Sequence, residues 1–240
     1  MPVSLTIHGE DSPISIPPHA TFILGEISAM LKTFKVSAPS FDLVVLDPPW
    51  PNRSARRKKD YSISYGNKEI RELLSSIPLC DHLKDDGIIA VWITNKEAFR
   101  EMVLGPEGLF EEWGVCLVEE WIWVKTTVGG EPICALDSVW RKPYEVLLVG
   151  RRGTVVGDVK RRVIIGVPDL HSRKPNLKGL FGGLMKSLVQ DVETGKGKYA
   201  ALEIFARNLT AGWWSWGNEV LKFQNEECWV DEQQSSIDTP

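Results

Sequence analysis

The sequence predicts an α/β domain with a mostly parallel central sheet and helices on both faces. Two observations lead there. Six short runs are nearly continuous in apolar character and rich in β-branched and aromatic residues, which suits strands buried on both faces. Between several of them lie stretches with helical periodicity, and alternating strands and helices build parallel sheets.

Residues 1–20 hold four prolines and read as an irregular lead-in. "FDLVVL" (41–46) is the first strand, and it stops at Asp47-Pro48-Pro49-Trp50. A helical pattern over 67–77 leads to the strand "IIAVWIT" (88–94). A second helical pattern, 95–112, is interrupted at Gly105-Pro106 before the strand "VCLVEEWIWVK" (115–125). "YEVLLVG" (144–150) and "RVIIGV" (162–167) follow, then a helix over 177–192 and the strand "AALEIFA" (200–206). Long loops are expected at 51–66, 126–143 and 168–177. The pattern describes one domain, 21–223, without internal repeats, and then a tail at 224–240. That tail carries five acids and no Lys or Arg, and is expected to be disordered and solvated.

Charge and cysteine usage narrow the function classes. The net charge of −4 is concentrated in the tail, so residues 1–223 hold 28 basic against 27 acidic side chains, compatible with a nucleic-acid partner. No apolar run approaches the roughly 18–20 residues of a membrane span, and no signal peptide opens the chain. Cys80, Cys116, Cys134 and Cys228 have neither CxxC nor metal-ligand spacing, so reduced thiols and a metal-independent protein are expected.

In parallel sheets, ligands bind beyond the carboxyl ends of the strands. The residues to weigh are therefore Asp47 onward, Thr94-Asn95, Lys125, Arg151, Pro168 onward and Arg207. At the first of these, Pro48 and Pro49 cannot donate to a ladder and turn the chain off the sheet at a fixed angle. This leaves a carboxylate, carbonyls without local amide partners and an indole, a set suited to a planar amine-bearing ligand. Trp50, with Tyr61 as a second candidate, is expected to stack on that ligand. A basic arm follows directly: Arg53, Arg56, Arg57, Lys58 and Lys59. Lys160, Arg161 and Arg162, with Arg151 and Arg152, make another cluster. Both are expected to meet phosphates.

The "DPPW" after "FDLVVL", followed in order by "AVWITN", "EEWIWVK", "KPYEVLLVGR", "HSRKP" and "LEIFARNLTAGWWSWGNEV", resembles the MT-A70 family of adenine-N6 methyltransferases over residues 22–223. "PNRS", "LDS…RKPYE" and "FARNL…GWWSWGNEV" look most like its methyltransferase-like protein four branch. The resemblance implies a single Rossmann-like class I methyltransferase domain, circularly permuted so that the catalytic strand precedes the cofactor strand. It implies S-adenosyl-L-methionine as cofactor, S-adenosyl-L-homocysteine as product, and no metal. Asp47 and the carbonyl of Pro48 would accept the amine N–H bonds, with Pro49 and Trp50 completing the catalytic corner.

For the cofactor, the matching positions are Glu26, Ile27, Asp47, Pro49, Lys174, Glu203, Arg207, Asn208, Gly217, Asn218 and Glu219. Glu26 stands where the family usually has Asp. Glu203 and Asn218-Glu219 are assigned to the ribose, and Lys174 to the methionine carboxylate. For the nucleic acid they are Asn52, Arg53, Ser54, Arg56, Arg57, Lys58 and Tyr61 on the arm, with Trp123, Lys125, Tyr144 and Glu145 at the rim. Trp121 is assigned to the core, and His171 to a loop hydrogen bond. RNA is favoured over DNA as the acceptor, in particular 2′-O-methyladenosine of small nuclear RNA, in a monomeric protein of the nucleus and also the cytoplasm. The alternatives are a DNA N6-adenine methyltransferase and an inactive scaffold subunit.

Overall fold

Every residue of the run Phe41–Leu46 is buried in the computed structural model, which describes residues 3–5, 13–51, 66–154, 157–170, 173–188 and 199–228. In chain order the strands are β1 (Val3–Leu5), β2 (Ile14–Ile16), β3 (Thr21–Leu24), β4 (Phe41–Leu46), β5 (Leu83–Ile93), β6 (Val115–Lys125), β7 (Tyr144–Arg152), β8 (Lys160–Gly166), β9 (Ala201–Ile204) and β10 (Trp214–Gly217). The helices are α1 (Ile27–Ser37), α2 (Asn67–Ser76), α3 (Leu79–His82), α4 (Glu97–Leu104), α5 (Leu109–Glu112) and α6 (Lys178–Leu188).

From edge to edge the main sheet reads β3-β10-β9-β4-β5-β7-β6-β8. Among these strands β7 alone runs against the other seven. Counting from β9 through β10 to β3, β4 and β5, the order becomes 3-2-1-4-5, the doubly wound sequence of strands. The expected permuted α/β fold is present.

Alternation along β4 explains the two layers. Val44 and Leu46 join a cluster with α1 (Phe34), α2 (Ile70, Leu74) and α4 (Phe99). Leu43 and Val45 join the opposite cluster, where α6 places Phe181 and Met185 against Trp92, Trp121 and Trp123. A strand covered on both faces must be apolar over its covered length, which is why Leu43–Leu46 is unbroken and the carboxylates stand at the two ends, Asp42 and Asp47.

Three expectations are corrected. First, the lead-in is partly ordered: β2 pairs with β1, and Ile14 is buried against Val220 and Leu221. Second, the start of the expected tail is packed on the domain. Gln224 is 1 % exposed, accepts from Leu209 N–H at 2.8 Å and donates to the carbonyl of Ser15, while residues 229–240 lie outside the described residues. Third, the second basic cluster does not belong to the ligand edge. β7 is antiparallel, so Arg151 and Arg152 at its end, and Lys160–Arg162 at the start of β8, sit at the opposite edge. Four of these cations already have partners: Arg162 with Glu119 at 2.5 and 2.9 Å, Arg161 with Glu120, Arg151 with Asp86, and Arg152 with the carbonyls of Leu83 and Cys80. The same reversal brings Tyr144 and Glu145, at the start of β7, to the ligand edge.

Candidate active site

The site lies where the sheet changes direction. Beyond β9 the chain crosses to β10, and beyond β4 it crosses to β5 on the other side, so a crevice opens between the carboxyl ends of β9 and β4. Asp47 is the first residue after β4, and its N–H still donates to Ile204 O across that crevice at 3.2 Å. Pro48 and Pro49 then end the ladder, as proline must.

Trp50 and Pro48 behave differently from expectation. The Trp50 indole is 6 % exposed, donates to Trp92 O at 2.7 Å and stacks on Phe99 at 4.7 Å. A buried indole N–H requires such a partner, so Trp50 stiffens the corner and does not offer a bare stacking face. The carbonyl of Pro48 already accepts from Trp50 N–H at 2.8 Å, leaving one lone pair for a ligand. Lys96 fastens the corner from outside by donating to Pro51 O at 2.8 Å.

Opposite the corner, the 173–177 segment places a largely buried cation. Lys174 Nζ lies 2.9 and 3.0 Å from the two oxygens of Asp47 and 3.2 Å from Glu145 Oε2. Lys125 bonds the other oxygen of Glu145 and stands 4.8 Å over the Trp123 ring. Burial opposes the charge on Lys174, but the Asp47 and Glu145 carboxylates outweigh it and raise its pKa. For Glu145, burial likewise opposes ionisation, and Lys174 and Lys125 overcome it to hold the carboxyl below its usual range. These charges line a cavity of about 530 Å³, within the size range of small-molecule sites, about 300–1,000 Å³.

Glu203 is the site's other unusual acid. Burial first, and the neighbouring Asp47 charge second, push it up to about 7, against the pull of Lys174 and Arg207. It borders a void of only about 20 Å³ roofed by Lys174–Leu177, next to Asn208. A ribose meets Glu203 only if that roof shifts. A carboxyl with a raised folded-state pKa contributes stability that is present below its unfolded value of 4.5 and lost as pH rises through about 7. Glu203→Gln is therefore expected to raise the Tm at pH 8 by a few degrees, about 2–4 °C per kcal/mol relieved. The gain should fade toward pH 4.5, and thermal unfolding at pH 5 and 8 checks this: equal offsets at both would contradict the assignment.

The remaining cofactor candidates follow the carboxyl edge. Arg207, after β9, is 8 % exposed and pairs with Glu219 at 3.1 Å, and Glu219 also takes Lys222 at 2.8 Å. Asn218 and Glu219 follow β10 directly. Gly25 N–H donates to Gly217 O at 3.1 Å, setting exposed Glu26 and buried Ile27 beside them. Gly217 lies close to the neighbouring turn: a Cβ there would stand 3.1 Å from Ala206 O, a contact tight enough that the backbone must give by a few tenths of an ångström. Phe205, at the turn out of β9, holds a φ of 61°, the left-handed region that a non-glycine residue enters only under constraint.

These residues fit S-adenosyl-L-methionine. A buried cation facing carboxylates complements the amino-acid zwitterion. Thr94 Oγ1 and Trp123 Nε1 are buried polar atoms without partners at the cavity wall. Trp123, Lys125, Tyr144 and Glu145 all line the cavity, and Trp121 is 2 % exposed in the core. Asn52, Arg53, Ser54, Arg56, Arg57, Lys58, Tyr61 and His171 lie outside the described residues. Trp92, Arg141, Lys142 and Arg173 line the cavity without having been singled out as site residues. A signal existed, since Arg141 and Lys142 precede Tyr144-Glu145 in "RKPYE" and Arg173 precedes Lys174 in "HSRKP".

Comparison with known proteins bears on the same residues. The MT-A70 family model matches residues 41–219. The chain is 53 % identical over 219 residues to "N6-methyladenosine RNA methyltransferase MTA1" of Cryphonectria parasitica, covering 90 % of this chain and 62 % of that protein. It is 36 % identical to mouse "N(6)-adenine-specific methyltransferase METTL4", covering 90 % and 45 %. It is 30 % identical to a Caenorhabditis elegans "DNA N6-methyl methyltransferase", covering 90 % and 55 %. The chain thus spans about half to three-fifths of the length of these relatives.

Proposed function

The chain belongs to the MT-A70 family of N6-adenine methyltransferases, and from that premise we propose that it transfers a methyl group from S-adenosyl-L-methionine to the N6 amine of adenine in nucleic acid, RNA before DNA. The observation that carries this reading is the cluster of Asp47, Lys174 and Glu145 on one wall of the cavity, at the sheet's change of direction.

The cofactor supplies an electrophilic methyl group on a sulfonium. The chain's own residues make the amine a competent nucleophile and hold it still. The lone pair of an exocyclic amine is delocalised into the ring. Acceptors on both N–H bonds favour its pyramidal form, and Asp47 with the free lone pair of Pro48 O are such acceptors. This is electrostatic stabilisation and positioning, without a strong base beforehand. Lys174 and Asp47 suit the carboxylate and ammonium of the methionine portion, Glu26 and Ile27 the adenine, and Asn218 and Glu219 the ribose. The adenine must leave its stack to reach this depth. The basic run from Arg53 to Lys59, which follows the Asp-Pro-Pro-Trp corner in the sequence, supplies phosphate contacts.

Intact Asp47, Lys174 and Glu145 favour an enzyme over a scaffold subunit. RNA is preferred because a relative at 53 % identity carries an RNA methyltransferase name, and the nematode relative keeps DNA in the comparison. The finer reading is internal 2′-O-methyladenosine of small nuclear RNA, in the nucleus. The test compares single-stranded RNA, 2′-O-methylated RNA and DNA of one sequence as methyl acceptors. RNA is expected to exceed DNA by at least about tenfold in kcat/KM, a difference near 1.4 kcal/mol. Equal or reversed rates overturn the RNA preference, and no transfer to any acceptor overturns the enzymatic reading.

A further inference from the structure

Among the described residues, the largest exposed aromatic stands on the 126–143 loop that borders the reaction cavity. Trp140 is 98 % exposed, and Val139, Val128 and Leu136 in the same loop are 91 %, 93 % and 54 % exposed. Val139 and Trp140 are adjacent, so the loop presents at least two large apolar side chains side by side to solvent. The loop is braced by its own hydrogen bonds. Lys125 N–H donates to Pro143 O at 2.7 Å and Ile133 N–H to Lys125 O at 3.0 Å, closing its base. Cys134 Sγ donates to Arg141 O at 3.3 Å, Arg141 N–H to Ser138 Oγ at 3.4 Å and Ser138 N–H to Ala135 O at 3.1 Å, bracketing Trp140.

The two residues after Trp140 decide what it meets. Arg141 and Lys142 both line the cavity that holds Asp47 and Glu145, and neither pairs with a carboxylate among the described residues. The loop's acids, Glu131 and Asp137, are not part of that lining. A bare indole, then two unpaired cations, then the reaction cavity is complementary to a polyanion with flat bases: a single nucleic-acid strand.

We propose that Trp140 is the stacking surface for a nucleobase flanking the target adenine, with Arg141 and Lys142 holding the phosphate between them. This rests on the reading of the cavity as the acceptor site for adenine. Aromatic stacking of this kind tolerates any base, because every base has a π face.

The test uses the full chain with Trp140→Ala and Trp140→Phe, changes at an exposed position that leave the core untouched. Binding of labelled single-stranded RNA is followed by fluorescence anisotropy, alongside methyl transfer to acceptors of one, three and seven nucleotides. Trp140→Ala is expected to weaken binding of the seven-nucleotide strand about tenfold, within the span of single base–aromatic contacts, and to raise its KM alike with kcat little changed. Trp140→Phe should recover most of the loss, and the penalty should grow with acceptor length. Unchanged affinity and KM in Trp140→Ala would overturn the proposal and leave the patch to a protein partner. The anisotropy arm separates the two readings: binding that depends on Trp140 without any methyl transfer supports the stacking role while overturning the enzymatic one.

Discussion

Asp47→Asn is expected to lower turnover about 10²–10³-fold while leaving the protein folded. The substitution keeps the shape of the side chain and exchanges an anionic acceptor for an amide that also presents N–H groups to the substrate amine. Glu145 still pairs with Lys174 in the variant, 3.2 Å away, so the buried cation is not stranded. A second effect distinguishes this role from a merely structural one. The Asp47 charge is one of the causes that raise Glu203 to about 7, so its removal should lower that value and shift whatever part of the pH–rate profile Glu203 controls. Single-turnover methyl transfer between pH 5.5 and 8.5 measures both. Turnover near that of the wild type would remove Asp47 from the reaction.

Asp47 was legible in the sequence because its surroundings are local. β4 and the Asp-Pro-Pro-Trp break are contiguous, and a strand buried on both faces announces its boundaries residue by residue. β6 at 115–125 was legible for a related reason, an 11-residue run flanked by clear loops. The strands β3 and β10 were not, being four residues each, too short to stand out before they pair with their neighbours in the sheet. α1 was missed as well, since only Ile27 and Phe34 of its 11 residues are buried and its stripe is weak. Strand direction is the least local property of all. Nothing in "YEVLLVG" says that it runs backwards, so Arg151 and Arg152 were placed at the wrong edge while Tyr144 and Glu145 were placed at the right one through the resemblance. Likewise the partners of Arg162 and Arg161 are Glu119 and Glu120, about 40 positions away, and a basic cluster reads as free until such partners are found.

Lys174→Met is expected to produce the largest loss of stability among single changes at this site. Removing one partner of a fully buried ion pair costs about 3–5 kcal/mol, and in this part-buried cluster water reaching Glu145 offsets some of that. Here Asp47 and Glu145 both lose a bonded cation, and Glu203 loses one of the two that restrain it. The pH dependence should change with it. In the wild type, Glu145 has a depressed pKa, so its contribution is present above its unfolded value of 4.5 and is lost as pH falls through the folded value. Without Lys174 that contribution shrinks to what Lys125 provides. Glu203, already at about 7, moves further up, so stability is lost more steeply as pH rises through that region. The variant should therefore be hurt more at pH 8 than at pH 5, where protonation relieves the clustered carboxyls. Urea unfolding at both pH values reads this directly. Adding Glu203→Gln should return part of the loss at pH 8 and little at pH 5, a non-additive coupling expected of groups that share one partner. Calorimetric titration with S-adenosyl-L-homocysteine, at a temperature where the variant remains folded, then isolates binding from stability. Loss of cofactor affinity is expected, because among the described residues Lys174 is the one cation bonded to Asp47, and without it the methionine carboxylate loses the charge it would pair with. A small, pH-independent loss of stability with unchanged affinity would show that Lys174 is neither the keystone of the charge cluster nor a cofactor ligand.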